Sequence, residues 1–250
     1  MRRAPLVEVF ASIQGEGAYV GQPQTFLRLA GCPFRCRYCD SEPTWEAEEH
    51  WRLALPDGDR RERNPVTVAQ ALGAIEEVER AAGLTPQTVS VTGGEPLVHW
   101  EFLEELCPAL RAQGRRVHLE TAGVHFSAVE PLLAHVDHVS ADLKLDSTME
   151  TGAFGEAHRR FYELCATRAA DWCVKCVLTP SVSPAELDAA LAALQALAPG
   201  AALFLQPVTP MRLEQKGLTA AALAALTELA RRRFPGVRVI PQTHRALGLR

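Results

Sequence analysis

The sequence predicts an α/β protein whose parallel sheet forms a partial, open β/α barrel. Two observations carry this expectation. Short apolar runs of strand character alternate with helically periodic segments, and each unusual polar motif falls just after one of the runs. Such alternation implies right-handed crossovers between parallel strands, and roughly six units fall short of the eight in a closed barrel.

The strand series opens with Gln24 to Ala30 and continues with Thr88 to Thr92, Val117 to Thr121 and His138 to Leu143. Trp172 to Leu178, Leu203 to Gln206 and Val237 to Ile240 complete it. Each run is short and largely apolar, the pattern of a strand buried on both faces. Between them Val68, Leu72 and Ile75 keep i, i+4, i+7 spacing, as do Leu187, Leu191 and Leu194, while Leu103, Leu106 and Leu110 give i, i+3, i+7. Thr67 with Gln70 and Ser183 with Glu186 read as capping boxes, the second with Pro184 at the first helical position, and Thr219 reads as a further N-cap. Function in such sheets collects at the carboxyl ends of the strands.

Residues Ser41 to Asn64 differ, with two tryptophans, many charges, a Pro-Asp-Gly turn and no clear period. This stretch is expected to be a loop, an insertion or lid over the top of the sheet within one domain spanning 1–250. A chain of 250 residues is long enough for one large core. Its net charge of −4 argues against a nucleic-acid partner, leaving a small molecule as the expected substrate. Membrane spans of roughly 18–20 apolar residues are absent from the sequence. Glu8 and the polar stretch Ser12 to Gly17 interrupt any signal-peptide core behind Met1-Arg2-Arg3, so a cytoplasmic protein is expected.

Seven cysteines suit metal binding in a reducing compartment better than disulfides, because three crowd into residues 32–39. Gly31-Cys32-Pro33-Phe34-Arg35-Cys36-Arg37-Tyr38-Cys39-Asp40 follows the first strand with Cys-x3-Cys-x2-Cys spacing. One tight loop can then set three thiolates at three corners of an iron–sulfur cubane. Such clusters normally take four cysteines, so a set of three leaves one iron open, which S-adenosylmethionine needs if it is to chelate through its amine and carboxylate. The competing reading is structural zinc, which wants four closed ligands. Cys165, Cys173, Cys176 or a distant histidine stands available to complete that set in space.

The triplet, with an aromatic residue before its last cysteine, resembles the signature of the radical S-adenosylmethionine superfamily, which implies a partial barrel of that type. Thr92-Gly93-Gly94-Glu95-Pro96 is similar to that superfamily's motif for the methionine amine. Narrower features resemble one family, 7-carboxy-7-deazaguanine synthase, over nearly the whole chain. They are Phe10-Ala11-Ser12-Ile13-Gln14-Gly15-Glu16-Gly17, Gly21 to Arg28, Cys39-Asp40-Ser41 with Thr44-Trp45, and Glu120-Thr121-Ala122-Gly123. Ser140 to Lys144, Gln206-Pro207 and Gln242-Thr243-His244-Arg245 complete the likeness. That family converts 6-carboxy-5,6,7,8-tetrahydropterin to 7-carboxy-7-deazaguanine, with ring contraction and loss of ammonia, on the route to queuosine. Glycyl-radical activases share the triplet but not this flanking set, and they form the alternative enzyme class. A non-catalytic metal-binding module is the alternative outside enzymes.

The resemblance implies a [4Fe–4S] cluster on Cys32, Cys36 and Cys39, with S-adenosylmethionine bordered by Tyr38, Cys39, Asp40, Gly94, Glu120, Ser140, Lys144 and Gln206. It implies Mg²⁺ at Ser41, where many members have threonine, and a substrate site of Ile13, Gln14, Gly15, Glu16, Arg28, Thr92, His244 and Arg250. Gln14 and Glu16 suit the guanine-like edge and Arg28 the carboxylate. A homodimer served by a flavodoxin or ferredoxin is expected. Plainer readings stand beside these: Arg28 in a surface salt bridge, His244 as a core histidine, Ser41 as an N-cap, and Glu120 paired with Arg115 or Arg116. Cys173 and Cys176 have redox spacing, but three residues along a strand they face opposite sides, so they are expected to be buried structural thiols, as are Cys107 and Cys165.

Overall fold

The computed structural model describes residues 2–83, 88–123, 126–150, 155–210 and 216–249, with the backbone alone at 126–128. In chain order the strands are β1 (Arg3–Ala4), β2 (Leu6–Ile13), β3 (Pro23–Leu29), β4 (His50–Leu53), β5 (Arg60–Arg63) and β6 (Val66–Thr67). They continue as β7 (Thr88–Gly93), β8 (Arg116–Thr121), β9 (His138–Leu143), β10 (Trp172–Leu178), β11 (Ala202–Pro207) and β12 (Arg238–Val239). The helices are α1 (Val68–Ala82), α2 (Trp100–Ala112), α3 (Phe126–Leu133), α4 (Glu156–Arg168), α5 (Pro184–Leu197), α6 (Ala220–Arg233) and α7 (Thr243–Ala246).

All of the expected strands are present. They pair in parallel, in chain order, from β3 through β7 to β12. Beyond β3 the sheet continues through β2, β4 and β5, and its end strands β12 and β5 are not paired with each other. This is an open barrel, as expected. The register that sets Arg28 opposite Thr92 and Lys175 opposite Asp142 carries these polar residues to one rim.

Two parts of the sheet differ from the sequence reading. β2 lies antiparallel to β3 although Glu8 interrupts its apolar residues. Within 41–64, where a loop is expected, His50–Leu53 and Arg60–Arg63 form a hairpin whose β4 pairs with β2. Trp51 and Leu53 anchor it in the core while the Arg60–Arg63 strand is largely exposed. Charged side chains suit an edge strand that must not recruit another.

Helix starts follow the local chemistry. The Thr67 hydroxyl and Gln70 amide satisfy each other's backbone N–H groups at the head of α1. Ser183 caps α5 and Thr219 caps α6. Glu186, however, does not return to its cap; its carboxylate accepts from the Ser147 N–H at 2.8 Å, tying α5 to the loop after β9. Leu103, Leu106 and Leu110 of α2 and Leu187, Leu191 and Leu194 of α5 are fully buried against the sheet. Among the described residues no helix is long and apolar enough to cross a membrane.

Candidate active site

The loop after β3 is pinned from both sides. The Gly31 N–H donates to the Thr44 carbonyl at 2.7 Å and the Arg37 N–H to the Thr148 carbonyl at 2.9 Å. Arg35 donates to the carbonyls of Cys32 and Phe34, and its guanidinium lies 4.6 Å from the centre of the Trp45 ring. The Gly-Gly-Glu-Pro turn packs directly on this loop: a β-carbon on Gly94 would stand 2.5 Å from the Gly31 carbonyl oxygen. The Glu95 N–H donates to that same oxygen at 2.8 Å. Glu95 itself is buried, and its carboxylate accepts from the Thr121 hydroxyl at 2.6 Å and from the N–H groups of Ala122 and Leu97 at 2.7 and 3.0 Å. Burial pushes it up to about 6, against the pull of those three donors.

Cys32, Cys36 and Cys39 are free, half-buried and line one cleft, while Cys107, Cys165, Cys173 and Cys176 are fully buried elsewhere. Burial pushes the Cys32 thiol up to about 11 and raises Cys39. Among the described residues, the group of three His, Cys, Asp or Glu ligands whose donor atoms gather within 4.8 Å is Glu16, Asp40 and His244. The three sulfurs are therefore spread wider than the roughly 3.8 Å that separates thiolates on one tetrahedral zinc with bonds of about 2.3 Å. That spread suits a larger, polynuclear cluster better than a single zinc ion.

The cleft is open to solvent and mixes polar and apolar walls, the character of a small-molecule site. Of the residues singled out in the sequence, Ile13, Gln14, Gly15, Glu16, Arg28, Tyr38, Asp40, Ser41, Thr92, Gly94, Glu120, Lys144, Gln206 and His244 line it alongside the cysteines. Ser140 lies deeper, accepting or donating a hydrogen bond at 2.8 Å with His118 and sitting 3.5 Å from the Cys173 sulfur. Arg250 lies outside the described residues.

Several contacts decide between the plain and functional readings. Arg28 donates from Nε to Glu8 at 2.9 Å, so the ion pair exists, while the residue still faces the cleft. Glu120 does not pair with Arg115 or Arg116; it accepts from the Gln14 amide at 3.0 Å and the Ser90 hydroxyl at 2.5 Å, and Arg115 pairs with Glu79. The Ser41 hydroxyl caps nothing and donates to Asp40 at 2.7 Å. Asp40 also accepts from Gln242 at 2.8 Å and Arg245 at 3.1 Å; burial pushes its carboxyl up, but these three donors outweigh it and hold it at about 2. Burial lowers the pKa of His244, keeping the imidazole neutral near pH 7. Phe10 and Phe26 stack at 4.9 Å to form an apolar wall.

Four functional candidates carry no role in the sequence reading: Glu8, Asp142, Lys175 and Gln242. Asp142 accepts from Lys144 at 2.8 Å, and Lys175 donates to Glu16 at 2.5 Å. Gln242 bridges Glu16 and Asp40. A lysine at an inward position of an otherwise apolar strand is the signal that marks Lys175. Burial would depress its ammonium, but Asp142 and Glu16 raise its pKa well above the ordinary lysine value.

An open parallel barrel with three thiols at the end of its first parallel strand defines a class, and the family model of the Radical SAM superfamily matches residues 27–161 of this chain. The 7-carboxy-7-deazaguanine synthase of Geobacter sulfurreducens is 35% identical, over 98% of this chain and 97% of its own. The synthase of Methanopyrus kandleri is 36% identical, over 95% of this chain and 91% of its own. The chain belongs to the 7-carboxy-7-deazaguanine synthase family of the radical SAM superfamily. The crystal structure of QueE from Escherichia coli shares the fold, with a TM-score of 0.63 at 23% identity, covering 96% of this chain and 94% of that one.

Proposed function

We propose that this enzyme converts 6-carboxy-5,6,7,8-tetrahydropterin to 7-carboxy-7-deazaguanine. The observation that carries the reading is one cleft lined both by Cys32, Cys36 and Cys39 and by Gln14, Glu16 and Arg28. Cys32, Cys36 and Cys39 would hold a [4Fe–4S] cluster which, with S-adenosylmethionine and an electron from an external reductant, would supply the radical chemistry of the reaction.

The protein's part is to bind, orient and exclude water. Glu16, an acceptor, and Gln14, which both donates and accepts, read the aminopyrimidinone edge of the pterin. The terminal nitrogens of Arg28 hold its carboxylate as a two-pronged fork, with Thr92 beside them on the neighbouring strand. The neutral imidazole of His244 closes the substrate side. Tyr38, Asp40, Gly94, Glu120, Lys144 and Gln206 serve the cofactor, and Ser140 supports that rim from below. Phe10, Phe26 and Phe34 limit water at the reacting centre. Mg²⁺, which favours oxygen ligands, is assigned to the Ser41 hydroxyl beside the Asp40 carboxylate. The reading also includes a homodimer, electron delivery by a flavodoxin or ferredoxin, and a cytoplasmic setting, all from the family likeness.

The test is turnover by anaerobically reconstituted protein. With reductant and S-adenosylmethionine, the carboxypterin should yield 7-carboxy-7-deazaguanine by mass spectrometry, and Cys36→Ala should lose cluster absorption and product together. Cofactor cleavage that leaves the carboxypterin unconsumed would favour an activase-type reaction instead.

A further inference from the structure

Lys175 lies partly buried between the two halves of the cleft, and the roles above leave it without a task. Its side chain is 13% exposed, with Nζ 2.5 Å from Glu16 Oε2 and 3.4 Å from Asp142 Oδ1. On one side Asp142 accepts from Lys144 at 2.8 Å, and Lys144 reaches the Tyr38 hydroxyl at 3.4 Å. On the other, Glu16 accepts from Gln242 at 2.9 Å, and Gln242 donates to Asp40 at 2.8 Å. Tyr38 and Asp40 flank Cys39, so these contacts close into a ring around the cleft. Gln242 bridges the two sides as a neutral amide, whereas Lys175 is the cation of the ring that touches two carboxylates at once, Glu16 on the substrate side and Asp142 beside Lys144.

We infer that Lys175 is a positioning residue that couples substrate binding to cofactor binding, an inference that depends on the function proposed above. A buried ammonium shared by two carboxylates divides its attraction between them. When pterin N–H groups satisfy Glu16, the charge of Lys175 turns toward Asp142 and steadies the Asp142–Lys144 pair. Linkage is reciprocal, so a cofactor that favours that arrangement must tighten the substrate by the same factor. Without the ammonium, Glu16 and Asp142 become two poorly compensated carboxylates, and each site loses its report of the other.

The experiment uses reconstituted holoprotein with the cluster oxidised and no reductant, so that nothing turns over. Calorimetry gives the Kd of the carboxypterin with and without saturating S-adenosylmethionine. In the wild type the cofactor should tighten the substrate at least about fivefold; in Lys175→Met the ratio should fall to within about twofold of unity, and Lys175→Arg should retain most of it. Asp142→Asn cuts the chain one link further on, with the Lys175–Glu16 contact kept, and should lose the ratio equally; it decides the matter if Lys175→Met fails to fold. A simple anchor for Glu16 would weaken substrate binding in Lys175→Met but leave the ratio unchanged, which would overturn the inference. A wild type that binds carboxypterin without any coupling removes this inference alone, whereas one that binds none removes the proposed function with it.

Discussion

His244 stands against the Cα of Gly15 so closely that a β-carbon there would lie 2.0 Å from Nδ1 and 2.6 Å from Cγ. The Gly15 carbonyl also accepts from both the N–H and the hydroxyl of Thr243, each at 3.0 Å. The substrate loop and the head of α7 are thus built as one unit, and glycine is required there for space. Gly15→Ala should push the imidazole out of the cleft and lower kcat/KM for the carboxypterin by about 100-fold. Cluster absorption should be unchanged, because the cysteine loop does not lean on this contact. A variant with wild-type kinetics would show that His244 does not need this position.

Arg28 spends its Nε on Glu8, whose other oxygen is bonded by Arg52. The guanidinium lies 5.8 Å from the centre of the Phe10 ring, so its plane is held while its terminal nitrogens make no hydrogen bond among the described residues. This arrangement is set up for a carboxylate, and a lysine cannot copy it. Arg28→Lys should raise KM for the carboxypterin by about 10- to 100-fold, the equivalent of a charged hydrogen bond. A pterin lacking the carboxylate should show no difference between the two proteins. An equal loss with both pterins would mean that Arg28 only supports the sheet.

Glu95 is the buried hinge between the Gly-Gly turn and the end of β8, and its pH behaviour follows from its place. Burial raises its native pKa to about 6 from the ordinary 4.5. Between those values the folded protein binds the proton more tightly than the unfolded chain does. Its contribution to stability is therefore complete below pH ~4.5 and lost as pH rises through ~6, by about 2 kcal/mol. Glu95→Gln sets an N–H₂ against backbone N–H donors and should cost about 1–3 kcal/mol at pH 7. Urea unfolding of the cluster-free proteins should show the wild type's advantage growing by about 2 kcal/mol between pH 7 and pH 4.5. A difference that stays flat with pH would mean the three donors keep the carboxylate ionised throughout.

The parallel half of the sheet was legible because its strands are buried on both faces and read as apolar runs between helices with clear caps. The other half was not. β2 carries Glu8 because that residue faces Arg28 and Arg52 across the sheet, and β5 reads as a charged loop because an edge strand needs no apolar face. The candidate site was legible where residues cluster in sequence, as in 13–16, 32–41 and 92–96. Long-range partners were hidden: Glu186 looks like a capping-box residue but bonds Ser147, and Lys175 finds Glu16 only through the fold. Ser140 shares the inward parity of Asp142, but it stands one step deeper in β9, where His118 meets it.

The same parity argument separates Cys173 from Cys176. Both are fully buried, yet Cys173 faces inward, 3.5 Å from the Ser140 hydroxyl and 3.5 Å from His138 Nε2, while Cys176 belongs to the apolar core behind the sheet. Burial pushes the Cys176 thiol up to about 12, so it stays protonated and unreactive. A serine hydroxyl at 173 inherits two polar neighbours, whereas one at 176 enters a dry environment. Cys176→Ser should cost about 1–3 kcal/mol of stability and Cys173→Ser well under about 1 kcal/mol. Both variants should keep the cluster spectrum and turnover once folded, because neither thiol reaches the cleft. Loss of iron or of activity in a stably folded Cys173→Ser protein would give that pair a redox or metal role after all.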